Sequence, residues 1–447
     1  MDVNRHVDVF RVNPDDWPNG TPAGKAPDPE LGTAIIPADR YFSHEFMQLE
    51  WDHIWTKVWL LAGRSDDIAE PGQYICTDIG KESVIIVRQH DGSLRGFHNV
   101  CLHRGNRLRP EGISETPDLF RCMYHHWTYD WEGRICHIPD LDTFPQGGPP
   151  NDRVDAVRTG EWGSFVWFSL NPNVEPLEEY LDPVPRHLNP YHFERMAWTR
   201  DITVEWDCNW KTSVDAFNES YHVQGIHPQL KWYLDDVNIQ IDCYERHNRY
   251  LIPFAAISPR VSLPTQIPPA IEEIMRNAGM DPAEWEGSTG DIRRAVQLFK
   301  RKHGPSQGKD YSELNDDQLT DDYNYMIFPN VTLNTHADDL MLFRQRPHPI
   351  DPDKMFYDIW MFELVPEGEE WPERPRHQHF RHGDKTIGQV LDQDAFNLPT
   401  VQKGMKSSAF RGLWLSEQEL RLRHFHHVIE RYVYGHNGPP QGAAKGA

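Results

Sequence analysis

Two short segments constrain this chain more than anything else in it: Cys101-Leu-His103 and Cys122-Met-Tyr-His125, with 18 residues between them. Each supplies one thiolate and one imidazole. Structural zinc modules usually separate paired ligands by two to four residues, and a Cys-x-His pair matched to a Cys-x-x-His pair is unusual for them. Two cysteines on one iron and two histidines on the other is instead the ligand set of a mixed-ligand [2Fe-2S] cluster, whose potential lies well above that of an all-Cys ferredoxin. Such a centre accepts electrons and passes them on. Arg104-Gly105 after the first pair, and Trp127, Tyr129 and Gly133 after the second, add a context that a plain metal knuckle lacks.

At 447 residues the chain has room for two or three domains. Its 16 Trp and 20 Phe argue against disorder. A net charge of −23, spread along the chain, repels nucleic acid and anionic membranes. Two of the six cysteines are claimed by the cluster. Cys76, Cys136, Cys208 and Cys243 show no framework spacing and read as free core thiols in a reducing compartment. The N-terminal MDVNRHVDVFRV has no apolar core, and no run of 18 apolar residues occurs. The expectation is a soluble, cytoplasmic protein with no membrane span.

Residues 1–40, rich in Pro, Asp and Gly, read as an arm. Apolar spacing over 41–59 predicts a short helix. Strand formers follow at 74–76, 83–87 and 96–100, with turn signals at Pro71-Gly72 and Asp91-Gly92 between them. Both metal pairs then fall in loops at strand ends. A last strand over 162–168 closes a β-rich domain spanning 41–170. Beyond Asn171-Pro172-Asn173 the pattern becomes mixed helix and strand, giving an α+β chain with a second domain over 171–435. A helix is expected over 210–223. Residues 258–320 interrupt the strands and are a candidate cover for an active site. They hold a helix from Asp291, an N-cap candidate, to His303, with Ile292, Val296 and Phe299 as its buried stripe. Strands resume at 325–328, 331–334, 340–345 and 356–364. Helices follow over 386–406 and 416–434, and 436–447 should be a disordered tail.

A second metal constellation lies in Glu219-Ser220-Tyr221-His222-Val223-Gln224-Gly225-Ile226-His227-Pro228. Five residues of continuous helix turn about 140°, so His222 and His227 would not share a face. Gly225 and Pro228 end the helix between or just after them, letting His227 fold back beside His222. Two imidazoles and one carboxylate on one face of Fe(II) leave positions open for O2. The carboxylate must come from elsewhere. Asp394 is the choice and Asp392 the runner-up, which two residues earlier on a helix points to a different face. The neighbouring His424, His426 and His427 read as a helix surface.

Together the two motifs resemble the large (α) subunit of Rieske non-haem iron oxygenases, the aromatic-ring-hydroxylating dioxygenase family, over roughly residues 40–435. The resemblance implies a Rieske domain with Cys101, His103, Cys122 and His125 on its [2Fe-2S] cluster. It implies a helix-grip catalytic domain of antiparallel sheet wrapped around helices, with mononuclear Fe(II) on His222, His227 and Asp394. It implies head-to-tail homotrimers, in which electrons cross to the neighbouring subunit's iron. Glu219, where many members have Asp, would then bridge to His103 or His125 of the neighbour, with Tyr221 supporting that region. Four positions depart from the family pattern. His126 stands where Gly is common, Asp215 and Ala216 replace a Glu-Asn pair, and Pro399 stands where a Glu often follows the iron aspartate. The Glu-Ser-Tyr-His spacing is nearest to the branch of demethylases and quaternary-amine monooxygenases, which often works without a β subunit.

The implied activity is oxygenation of an aromatic or other hydrophobic organic substrate, with O2 and NAD(P)H-derived electrons. The alternatives are oxidative N- or O-demethylation or monooxygenation within the family, and a Rieske electron carrier outside it. The carrier predicts no second iron, and the long stretch 171–447 argues against it. No Gly-x-Gly-x-x-Gly dinucleotide site appears, so flavin and nicotinamide belong to a separate reductase, with or without a ferredoxin. Phe217, Val223 and residues 328–333 are candidate pocket walls.

Overall fold

A computed structural model describes residues 25–435, which fall into two compact units, Gln48–Asp182 and residues 25–47 with 183–435. The expected disordered tail and most of the expected arm lie outside the described residues. No helix among the described residues is long and apolar enough to cross a membrane.

The first unit holds ten strands. They are β1 (Leu60–Arg64), β2 (Gln73–Ile79), β3 (Glu82–Arg88), β4 (Leu94–His98), β5 (Gly112–Glu115), β6 (Phe120–Arg121), β7 (Thr128–Tyr129), β8 (Ile135–His137), β9 (Ala156–Trp162) and β10 (Phe165–Ser169). Seven form an antiparallel sheet in the order β1-β10-β9-β4-β3-β2-β5, and β6-β7-β8 form a small second one. Val84-Ile85-Ile86-Val87 is buried throughout, because β3 lies inside its sheet with both faces covered. The closing strand expected over 162–168 lies mostly in β10, but its first residues belong to the end of β9 and the turn of a hairpin. β9 and β10 pair across Gly163-Ser164, both with positive φ (+61° and +63°). Between the sheets lies a core of Ile85, Val87, Phe97, Phe120, Trp127 and Tyr129, which also takes in Cys101 and Cys122.

The second unit is built on an eight-stranded sheet. Its strands are β11 (Met196–Trp206), β12 (Gln240–Cys243), β13 (Asn248–Ile252), β14 (Asp322–Ile327), β15 (Val331–His336), β16 (Asp339–Pro347), β17 (Met355–Leu364) and β18 (Gln378–Arg381). The order is β12-β13-β14-β15-β16-β17-β11-β18, antiparallel except that β18 runs parallel to β11. The helix Trp210–Ala216 packs on β16 and on the helix Gln389–Met405, and Leu420–Tyr434 packs on β12 and β13. Successive β17 residues alternate between faces. Tyr357 stacks on Trp206 and Phe217 on the helix side, while Asp358 on the other side accepts from Arg344, Arg346 and Thr203.

Residues 25–47 join this unit through long-range contacts. Ile36 bridges to Leu413, Arg40 pairs with Glu430, and the Tyr41 hydroxyl lies 2.8 Å from His426 Nε2. The segment between β13 and β14 carries the helices Pro269–Ala278 and Ile292–His303, which share a small core of Ile271, Met275, Ala278, Ile292 and Val296. Two details there differ from expectation. Asp291 precedes its helix without a side-chain cap, Ser288 capping the preceding turn instead, and Phe299 is only half-buried and stacks on His303.

Three further expectations are corrected. The helix expected over 210–223 stops at Ala216, and only Val223–Ile226 makes a further short turn. His424 and His426 are buried, not surface residues: His424 Nε2 lies 2.7 Å from Tyr244 O, and His426 Nε2 lies 3.0 Å from Asp215 Oδ1. His427 alone of the three is exposed. Cys136 is exposed and Cys243 half-buried, so only Cys76 and Cys208 are core thiols outside the cluster motif.

Candidate active site

The two cysteine-histidine loops of the first unit share one backbone design. In the first, Cys101 N–H donates to Asn106 O (2.8 Å) and Gly105 N–H to Cys101 O (2.9 Å). In the second, Cys122 N–H donates to Trp127 O (2.8 Å) and His126 N–H to Cys122 O (3.0 Å). Each loop closes through its fourth residue after the cysteine, and both of those residues have positive φ: Gly105 at +74° and His126 at +59°. That left-handed geometry favours Gly, and His is among the residues that tolerate it. The His126 departure therefore keeps the loop's shape at a modest cost.

The four donors converge as two pairs. Cys101 and Cys122 are both buried: burial pushes the Cys101 thiol pKa up, the Tyr129 hydroxyl counters it, and the neighbouring Cys122 adds to it. The Tyr129 hydroxyl donates to Cys101 Sγ (3.2 Å) while accepting from Leu102 N–H (3.0 Å). The rings of His103 and His125 lie 4.4 Å apart. His103 stacks flat on Trp127 at 4.9 Å, and burial, then His125 and Arg104, lower its pKa. Its Nδ1 is buried without a hydrogen-bond partner. An orphaned ring nitrogen beside a second imidazole, on the two loops that also carry a pair of buried thiols, fits the donor set of an iron-sulfur cluster.

In the second unit the break after Ala216 sets the geometry. Asn209 caps the helix by accepting from Lys211 N–H, and the helix is buried from Trp210 to Asp215. Ser220 Oγ then donates to Asp236 O (3.0 Å), pulling the chain out of helical register. Released from one continuous helix, His222 and His227 sit with ring centroids 5.1 Å apart at 74°. Asp394 joins them from the helix Gln389–Met405, and one donor atom of each residue lies within 4.8 Å of the others. Asp392 is outside this group. It accepts from Thr386 Oγ and Ile387 N–H at the start of its own helix.

Both rings meet acceptors on both sides. His222 Nδ1 lies 2.5 Å from Glu219 Oε1, and its Nε2 lies 3.9 Å from Asp394 Oδ1. His227 Nδ1 lies 2.8 Å from Gln393 Oε1, and its Nε2 lies 3.0 Å from Asp394 Oδ1. Burial works against a charged His222, but Glu219 and then Asp394 more than offset it, and its pKa is raised. An imidazole between two acceptors needs either a second proton or a metal ion on one of its nitrogens. A metal ion between Nε2 and the carboxylate meets that need with a donor set suited to Fe(II). Glu219, nearly buried, also accepts from His222 N–H (3.0 Å), whereas Tyr221 is half-exposed.

A cavity of about 1230 Å3 lies in this unit. Gln229, Gln389 and Val390 line it, the first two residues beyond His227 and the others just ahead of Asp394. Trp232, Tyr233 and Phe254 form an aromatic wall, and the insertion between β13 and β14 supplies Ile267, Glu273, Ile274, Lys300 and Lys309. Asp338, also on the wall, accepts from Lys300 (2.6 Å) and the Tyr311 hydroxyl (2.6 Å) and pairs with Lys309 (3.1 Å). The candidate walls Phe217, Val223 and 328–333 do not line this cavity. Val223 belongs to an apolar core, and Phe328 stacks on Tyr432. Gln393, Gln229 and the aromatic wall escaped sequence reasoning. Neutral amides carry no motif, and the only signal was the adjacency of Gln393 to Asp394 and of Gln229 to His227.

An oxygen-friendly metal seat on a sheet that grips helices, with a separate β-domain bearing a mixed cysteine-histidine centre, defines a class of two-centre redox proteins. The chain belongs to the ring-hydroxylating alpha-subunit family: the model of that family's catalytic domain matches residues 193–435, and the Rieske [2Fe-2S] domain model matches residues 58–149. It is 29% identical over 200 residues to the glycine betaine monooxygenase oxygenase subunit of Pseudomonas aeruginosa, covering 44% of this chain and 45% of that one. It is 26% identical over 228 residues to the carnitine monooxygenase oxygenase subunit of Escherichia coli, covering 50% and 59%. The chain spans about half the length of these curated relatives. Its fold is similar to that of the quaternary ammonium Rieske monooxygenase CntA, with a TM-score of 0.66 over 91% of this chain and 99% of that one, at 18% identity.

Proposed function

We propose that this chain is the oxygenase component of a multicomponent Rieske non-haem iron oxygenase. In this reading residues 41–170 carry the cluster on Cys101, His103, Cys122 and His125, and 171–435 carry Fe(II) on His222, His227 and Asp394. The observation that carries it is the group His222, His227 and Asp394, each imidazole lying between two acceptors. A separate NAD(P)H-dependent reductase, with or without a ferredoxin, supplies electrons. Fe(II) held by His222, His227 and Asp394 would supply the activation of O2, and the protein's part is to hold substrate and time electron delivery. Glu219, bonded to His222, would in this reading carry a link towards a neighbouring subunit's cluster histidine in a homotrimer.

The substrate would be an organic molecule held in the 1230 Å3 cavity. The first reading is hydroxylation of an aromatic or other hydrophobic compound. Trp232, Tyr233 and Phe254 beside Glu273 favour a second, oxidative N-dealkylation of an ammonium compound, since aromatic faces with a nearby carboxylate attract such cations. Metal and sulfide analysis of anaerobically purified protein tests the core of the proposal. About three irons and two acid-labile sulfides per chain, with a Rieske-type signal on reduction, are expected. Zinc in a colourless protein would overturn it. Product analysis under labelled O2 with aromatic and quaternary-ammonium substrates then separates the two readings.

A further inference from the structure

The two histidines of the proposed iron site are held by different chemistry. His222 Nδ1 faces a carboxylate, Glu219, whereas His227 Nδ1 faces a neutral amide oxygen, Gln393 Oε1, at 2.8 Å. That same oxygen accepts from Gln229 Nε2 at 2.6 Å. A metal at Nε2 of an imidazole requires the proton on Nδ1, and therefore an acceptor beside Nδ1. A glutamine side chain offers an oxygen on one side and two N–H donors on the other. Turned the wrong way, it would donate to Nδ1 and force the proton onto Nε2, where the metal must bind.

We propose that Gln393, its amide oriented by Gln229, is the positioning residue that sets the tautomer of His227 and so presents Nε2 to the metal. The inference rests on the iron reading above. Gln393 immediately precedes Asp394, so one turn of the helix Gln389–Met405 delivers both a ligand and the partner of another ligand. Gln229 lies two residues beyond His227, so the segment that carries the imidazole also carries the group that orients its amide.

The choice of amide has an electrostatic consequence. With Fe(II) bound, the charges of Asp394 and Glu219 balance the ion. A carboxylate at 393 would leave the site with net negative charge and make His227 a stronger donor. A neutral acceptor fixes geometry without adding charge.

Protein carrying its cluster but stripped of mononuclear iron is titrated anaerobically with Fe(II) against a chromophoric chelator. The nitric oxide adduct of the bound Fe(II) is then examined by EPR. Gln393→Met keeps the side chain's length and loses the acceptor. It should weaken Fe(II) binding 10–100-fold, the usual loss when a ligand's outer partner is removed, and alter the EPR signal. Gln393→Glu accepts but cannot donate, and should bind at least as tightly as the parent. Gln229→Met frees the amide to turn and should give a smaller loss in the same direction; it also serves if Gln393→Met does not fold. The proposal is overturned if Gln393→Met binds within twofold of the parent, or if Gln393→Glu is as weak as Gln393→Met. Asp394→Ala sets the baseline: a parent no tighter than this variant would overturn the iron reading itself, and the proposal with it.

Discussion

Replacing Tyr129 by Phe should lower the reduction potential of the cluster by about 42 mV. The Tyr129 hydroxyl donates to Cys101 Sγ at 3.2 Å, inside a core where Tyr129 is fully buried. A hydrogen bond to a charged group contributes about 1.5–3 kcal/mol net. Cys101 would be a thiolate in both oxidation states, so only the added electron's share counts, and we take it as about 1 kcal/mol. A tenfold change in a one-electron equilibrium is about 59 mV and 1.4 kcal/mol, which converts that share to about 42 mV. The sign is fixed by charge: the donor stabilises the more negative, reduced cluster, so its loss lowers the potential. Removing the hydroxyl also takes the acceptor from Leu102 N–H, which adds destabilisation but no redox bias of its own. Redox titration followed by circular dichroism or EPR reads the potential directly. A shift below about 15 mV, or an upward one, would refute this assignment of Tyr129 to a cluster sulfur.

Asp394→Ala should lower iron from about three to about two per chain by metal analysis while leaving the cluster's absorption unchanged; equal iron in parent and variant would move the ligand elsewhere. His126→Val should be about 1–2 kcal/mol less stable than His126→Gly by chemical denaturation, because a β-branched residue resists φ of +59°; equal stabilities would contradict the left-handed loop. Burial raises the Asp322 pKa from 3.8 to about 7. Between those values the folded carboxyl keeps a proton that the unfolded one releases, so its contribution to stability falls as pH rises through that window, by up to about 4 kcal/mol. Denaturation of the parent and Asp322→Asn from pH 4 to 8 should therefore show a steeper fall in the parent, and parallel curves would refute it. Gln402→Leu should cost about 3 kcal/mol, since it strands several buried partners, and should also weaken iron retention in a chelator challenge; full retention would show that the helix holds its position without that side chain.

What the sequence made legible was local. The strands at 74–76, 83–87 and 356–364 lie within β2, β3 and β17, because dense β-branched and aromatic runs carry their own signal. The cysteine-histidine loops were legible for the same reason: spacing and turn chemistry fit within a few residues. The break after Ala216 was not, because distant partners impose it. Ser220 bonds to Asp236, and nothing in the segment itself announces that. The buried His424 and His426 were read as surface because their partners Tyr244, Asp215 and Tyr41 lie about 180 to 390 residues away. The cavity wall had no local signature either, since the helices between β13 and β14 acquire their role only by lying beside β16 and β17.

The helix Gln389–Met405 shows how the sheet and the proposed metal site are made to agree. Just over two helical turns beyond Asp394, about 80° round the helix from it, stands Gln402. Its Oε1 accepts from Asn209 N–H (3.1 Å) and Thr212 Oγ (2.9 Å), and its Nε2 donates to Tyr41 O (2.9 Å) and Asp353 Oδ1 (2.8 Å). Asn209 and Thr212 open the helix that ends just before Glu219 and His222. One amide thus ties the rod carrying Asp394 to the rod that launches the first histidine. Pro399, inside the helix, removes the N–H that would bond Ala395 O, weakening the ladder between Asp394 and Gln402. A rod weakened there could not by itself hold a carboxylate at a fixed distance from His227. Anchoring at Gln402 on one side of the proline, and at Asp392 and Gln393 on the other, replaces what the ladder loses. The position of Asp394 is therefore set by side-chain amides and a carboxylate that pin the helix at both ends, rather than by helical stiffness.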